Sequence, residues 1–271
     1  MNLQAFLRPA ILCLAALGFL QGQTKLLVTV VDRKTGVEIP NLAAGNFSVS
    51  DDRIPRAVQA AEYGKITLDV MVLFDTSLVG EMVHPLGEAF INGLEEKEQM
   101  AIVSFASSAD LIQDFTSSKQ FLKQAVRQVK YGNTPRVVDA LYAAADGGFQ
   151  SAVGRKVIVI LTTGVEGYSR TTERDVLKLA RSNQISIFPV YVIGAERGLF
   201  EKLARESGGA FFSARDLKLS PAQLAQRVYA VLRGRYILTL AGNQSLGDRI
   251  RVEVTGTNLG IRVWASALPL D

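Results

Sequence analysis

Two hydrophobic patterns alternate along the chain. LDVMVLFD (68–75), QMAIVSFA (99–106), RKVIVILTT (155–163) and ISIFPVYVIG (185–194) are mostly apolar at consecutive positions, and GAFFSA (209–214) is a weaker version. Short runs of this kind, bounded by polar residues and glycine, predict strands buried on both faces. The intervening segments HPLGEAFINGLEE (84–96), SSKQFLKQAVRQVK (117–130), PRVVDALYAAADGGF (135–149), TTERDVLKLARSN (171–183) and GLFEKLARESGG (198–209) carry apolar residues three and four apart. That is the spacing of amphipathic helices. SPAQLAQRVYAVLRG (220–234) closes the series, with Ser220 placed as an N-cap and Pro221 in the first turn. ADLIQDF (109–115) follows the second strand and predicts a short antiparallel edge strand.

The flanks have a different period. KLLVTVVD, NFSVSDD and IPRAVQAAEYG precede the helical region, and RYILTLAG, DRIRVEVTG and GIRVWAS follow it. All read as strands joined by turns rich in glycine and asparagine. The predicted fold class is therefore α/β, a Rossmann-like, doubly wound and mostly parallel sheet over residues 66–234. The segments 24–65 and 235–268 are expected to pair as a small β-sandwich into which that domain is inserted.

Residues 1–22, MNLQAFLRPAILCLAALGFLQG, stand apart. Arg8 precedes an apolar run from Ile11 to Leu20 that is too short to span a bilayer and fits a signal-peptide core. A secreted or periplasmic location is expected, with no stable membrane span once the leader is removed. The only cysteine, Cys13, lies in this leader, so disulfides and cysteine-ligated metals are excluded from the mature chain. The net charge of +4 is dispersed and forms no basic face of the kind nucleic acid requires.

Ligands of open parallel sheets gather at the carboxyl ends of the strands. Three segments bring oxygen-bearing side chains to that edge. FDTSLVG offers Asp75, Thr76 and Ser77, GNTPRVVDALYAA offers Thr134, and VIVILTTGVE offers Thr162 and Thr163. The order and spacing resemble a von Willebrand factor A-type (VWA) domain, whose metal-ion-dependent adhesion site reads D-x-S-x-S, then a loop threonine, then a late aspartate. GNTPRVVDALYAA is similar to that family's helix start, and RKVIVILTTG to its late strand. The flanks resemble a VWFA-related family of the Acidobacteria type.

The resemblance implies a metal site at Asp75, Ser77 and Thr134, with Val79 at the second serine position and Thr163 at the late aspartate position. Val79 can coordinate nothing and Thr163 brings no charge, so the implied site is incomplete. Magnesium depends on carboxylates and well-placed hydroxyls. No resident cofactor is expected, and magnesium only as a weak ligand. Glu166 stands close enough in sequence to replace the lost acid if its loop folds back. Without metal, Asp75 is expected to accept loop hydrogen bonds, and Ser77 and Thr134 to cap, Thr134 just ahead of Pro135.

Enzyme chemistry finds little support. No glycine-rich phosphate loop follows a strand, His84 has no partner for a dyad, and Ser77 lacks a nucleophile elbow. The family likeness implies a non-enzymatic module that binds a protein partner, with Asp75, Ser77, Thr134, Thr163 and Glu166 as the loop residues to consider. Two alternatives stand beside it: an envelope component assembling through its β-sandwich, and a magnesium-assisted binder whose metal shell a partner completes.

Overall fold

The computed structural model describes residues 24–242, 246–247, 249–256 and 263–270. The predicted leader, residues 1–22, lies outside the described residues. The first flank holds β1 (Thr24–Asp32), β2 (Phe47–Asp51), β3 (Ile54–Arg56) and β4 (Val58–Lys65). IPRAVQAAEYG thus makes two strands where one was expected.

The α/β region follows with β5 (Leu68–Asp75), α1 (His84–Gly93), β6 (Gln99–Phe105), β7 (Ala109–Thr116), α2 (Lys119–Arg127) and α3 (Val137–Ala145). It continues through β8 (Arg155–Thr162), α4 (Glu173–Ser182), β9 (Ser186–Tyr191), α5 (Arg197–Glu206), β10 (Phe212–Ser213), α6 (Ala214–Leu217) and α7 (Pro221–Arg233). The last flank is β11 (Gly234–Leu240), β12 (Ile250–Val254) and β13 (Val263–Leu270).

The central sheet has the order β10-β9-β8-β5-β6-β7, parallel except for β7, which runs antiparallel at the edge. Every residue of β5 is buried because helices cover both faces of the sheet. Val70, Val72 and Phe74 pack toward α1, α2 and α7, while Met71 and Leu73 pack toward α3 and the α4–α5 side. After β5 the chain moves to β6 on one side and later to β8 on the other. The loops leaving β5 and β8 therefore diverge, which opens the crevice where such sheets place their sites. Among the described residues, no helix is long and apolar enough to cross a membrane.

The two flanks pair with each other. One antiparallel sheet has the order β13-β1-β11-β4 and a second has β12-β2-β3. They share a core of Leu26, Val28, Phe47, Val49, Tyr236 and Leu238. The first sheet also docks on the α/β region at the turn after α5. Gly208 has φ +75°, and a Cβ there would meet Leu268 Cβ at 2.7 Å. At this turn Thr29 Oγ1 donates to Gly208 O, while Trp264 Nε1 and Ser266 Oγ donate to Gly209 O.

Candidate functional site

Asp75 ends β5 and is fully buried, with Thr162 and Thr163 beside it because β5 and β8 run in parallel register up to Phe74 and Leu161. Its Oδ2 accepts hydrogen bonds from Thr162 Oγ1 at 3.0 Å, Thr163 N at 2.9 Å and Thr163 Oγ1 at 3.0 Å. Its Oδ1 accepts from Ser77 N at 2.9 Å. Four donors from its own chain thus meet this carboxylate, three on Oδ2 and one on Oδ1. Thr162 Oγ1 in turn accepts from Gly164 N, extending the network into the next loop.

The loop after β5 folds back over this carboxylate. Gly80 makes that possible, since a Cβ there would stand 2.4 Å from Asp75 O and 3.1 Å from Oδ1. Two buried hydroxyls nearby, Ser77 Oγ and Tyr131 Oη, have no protein hydrogen-bond partner. The Tyr131 hydroxyl is pushed up to about 12, first by burial and then by the negative charges of Glu81 and Asp75.

Glu166 takes a position that its sequence neighbours do not announce. Its loop does fold back, but the carboxylate lies at the N-terminus of α3 rather than beside Asp75's oxygens. Oε2 accepts from Val137 N at 2.8 Å and Val138 N at 3.3 Å, and Oε1 accepts from Ser169 N at 2.9 Å. Helix α3 begins after Arg136, which makes no side-chain cap. Thr134 was expected to cap this helix; the structure corrects that, because Thr134 is exposed two residues upstream and Glu166 meets the free amides instead. Asp139 completes the clamp by accepting from Arg170 N and Thr171 N.

The five positions of the implied metal site are thus dispersed in role. Asp75, Ser77 and Thr163 converge and are buried, Thr134 is exposed across the loop, and Val79 is about half exposed at 48%. Among the described residues no three His, Cys, Asp or Glu side chains are grouped so as to hold a metal ion. The residues that sequence reading missed are apolar. Leu78 is 76% exposed and Tyr168 94%, with Met82 and Ile193 also standing out from loops at the same edge. Tyr168 has φ +58°, a left-handed conformation that bulky residues rarely adopt. Only the apolar LV after Ser77 hinted at this surface.

A family model for the von Willebrand factor type A domain matches residues 69–227. Solved structures of this fold include a von Willebrand factor type A protein from Catenulispora acidiphila. It is 12% identical, with a TM-score of 0.53, covering 93% of this chain and 74% of that one. Proximal thread matrix protein 1 from the mussel byssus, solved with a zinc-occupied MIDAS motif, is 17% identical with a TM-score of 0.55. The match covers 65% of this chain and 49% of the mussel protein, so the chain spans about half of that protein's length. At these identities the likeness concerns the fold. None of the curated proteins matches the sequence. The matched segment makes up more than half of the chain, and the protein belongs to the von Willebrand factor type A domain family.

Proposed function

We propose that the protein is a secreted or periplasmic, non-enzymatic module that binds a protein partner through the loops at the carboxyl edge of its central sheet. VWA domains often mediate protein interactions. The observation that carries the reading is the exposure of Leu78, Val79, Met82, Tyr168 and Ile193 on the loops after β5, β8 and β9. Large apolar side chains on loops clamped from below suit a preorganised contact surface. Each such side chain buried by a partner would contribute roughly 1.5–3 kcal/mol, and tyrosine is a favoured anchor.

In this reading the edge works without a resident divalent ion. A magnesium shell needs about six oxygens with carboxylates among them. Asp75 is the one carboxylate of the set, with three protein donors on Oδ2 and one on Oδ1, Thr163 brings a hydroxyl without charge, and Val79 has no oxygen. Ser77 Oγ alone of the five remains buried and without a protein partner. One carboxylate and uncharged hydroxyls make a poor donor set for magnesium, which supports this reading.

The test is capture of partners from envelope extract by the immobilised chain, with and without chelator. The expected result is capture that survives chelation and is lost in a Leu78→Ser, Met82→Ser, Tyr168→Ser triple variant. Loss on chelation with the triple variant unaffected would favour a metal shell completed by the partner. Loss only on altering the β flanks would favour assembly through the sandwich.

A further inference from the structure

Among the described residues the sandwich is open along one side. β13 is the last strand of one sheet and β12 the last strand of the other, and the two lie close together. Among the described residues neither has a hydrogen-bonded neighbour on its outer edge. Between them runs a groove of about 400 Å³, which reaches toward α5 and is continuous with a second hollow of about 320 Å³. Arg205 and Arg251 line both parts, Arg53 and Arg249 stand at the first, and the small side chains Ala265 and Ala267 form one wall.

Positive charge in this groove is only partly answered by Asp52, Glu206 and Glu253, which also line it. Arg249 and Asp52 are 3.9 Å apart and both exposed, a pairing that water weakens. Among the described residues Arg205, Arg251 and Arg53 have no carboxylate within ion-pair distance. Arg205 instead stands over the ring of Trp264, its guanidinium carbon 4.0 Å from the ring centroid, which holds the group beside the groove. Burial, Arg33 and Arg251 disfavour the Arg205 cation, and Glu201 opposes them.

Two chemistries therefore meet here. Oriented guanidinium groups match carboxylates in bidentate fashion. Open strand edges present N–H and C=O groups at the spacing of another peptide backbone. A small anion would use only the first, and a polysaccharide has no backbone for the second. We infer that the β12–β13 groove binds an acidic, extended segment of a partner protein, which pairs with a strand edge and sets its carboxylates on Arg205 and Arg251. This site is separate from the apolar loops and does not rest on their role.

The test is fluorescence anisotropy on the full chain with a labelled peptide of alternating glutamate and valine, as long as β13. Saturable binding is expected. It should weaken roughly tenfold or more in an Arg205→Gln, Arg251→Gln double variant. It should also weaken when alternate peptide nitrogens are methylated, which removes backbone donors and leaves charge unchanged. Arg251→Glu alone, at an exposed position, serves if the double variant does not fold. No binding, binding indifferent to the arginines, or binding indifferent to N-methylation would each overturn the inference. Equal competition by inorganic phosphate or heparin would do so too.

Discussion

Oγ1 of Thr163 lies 3.0 Å from Oδ2 of Asp75 and donates to it, so a hydroxyl stands where the family pattern has a carboxylate. The buried charge of Asp75 is thereby held by protein donors. Thr163→Val removes one donor and keeps the shape and the backbone N–H. We expect a loss of about 1.5–3 kcal/mol in unfolding free energy, the range for a hydrogen bond to a charged group. Denaturant midpoints measure it, and an unchanged midpoint would mean that this bond is not formed.

Glu166 is expected to stabilise the start of α3 rather than to bind an ion. Glu166→Ala should cost about 0.5–2 kcal/mol, comparable with losing a helix cap. Hydrogen exchange should rise first at the amides of Val137 and Val138. Faster exchange confined to the β5 loop would contradict the assignment.

Acid should loosen the same clamp through Asp139. Burial alone would raise its carboxyl, but the amides of Thr171 and Arg170, the Thr171 hydroxyl and the charge of Arg136 outweigh burial and hold it below 3.8. The folded value thus lies below the unfolded one. The stabilisation is complete above the unfolded value and is lost as pH falls through the folded one. Amide shifts of Arg170 and Thr171, followed from about pH 5 down to about pH 2, should report this step. Asp139→Asn should abolish the step and leave the loop loosened at neutral pH.

Arg235 is fully buried between the sandwich and β9, with Nη1 donating to Ser186 Oγ and the guanidinium 4.8 Å from the Phe188 ring. Its Nε and Nη2 have no partner, and burial together with Arg155 pushes it down to about 9. Arg235→Met should remove an unpaired buried charge and raise stability by about 1–4 kcal/mol. A lower midpoint in chemical denaturation would show that the Ser186 and Phe188 contacts outweigh desolvation.

The buried strands were legible because a parallel sheet covered on both faces demands unbroken apolar runs, as in VMVLF before Asp75. The convergence of Asp75, Ser77 and Thr163 followed from their places at adjacent strand ends. Glu166 was not legible in the same way, because its contact with α3 depends on the path of a loop with no period. Arg235 was hidden for another reason. Alternation in RYILTL suggests one wet face, yet β11 is covered on one side by the sandwich core and on the other by the α/β region. The exposed Tyr168 lies in a loop, where hydrophobicity carries no period to read.

In the proposed reading, hydrogen bonds of the chain, and not a divalent ion, hold the carboxyl edge in place. Calorimetric titration of magnesium into the intact protein, with Asp75→Ala alongside, tests it most directly. No saturable heat is expected from either protein. Saturable heat from the wild-type chain that disappears in Asp75→Ala would contradict it.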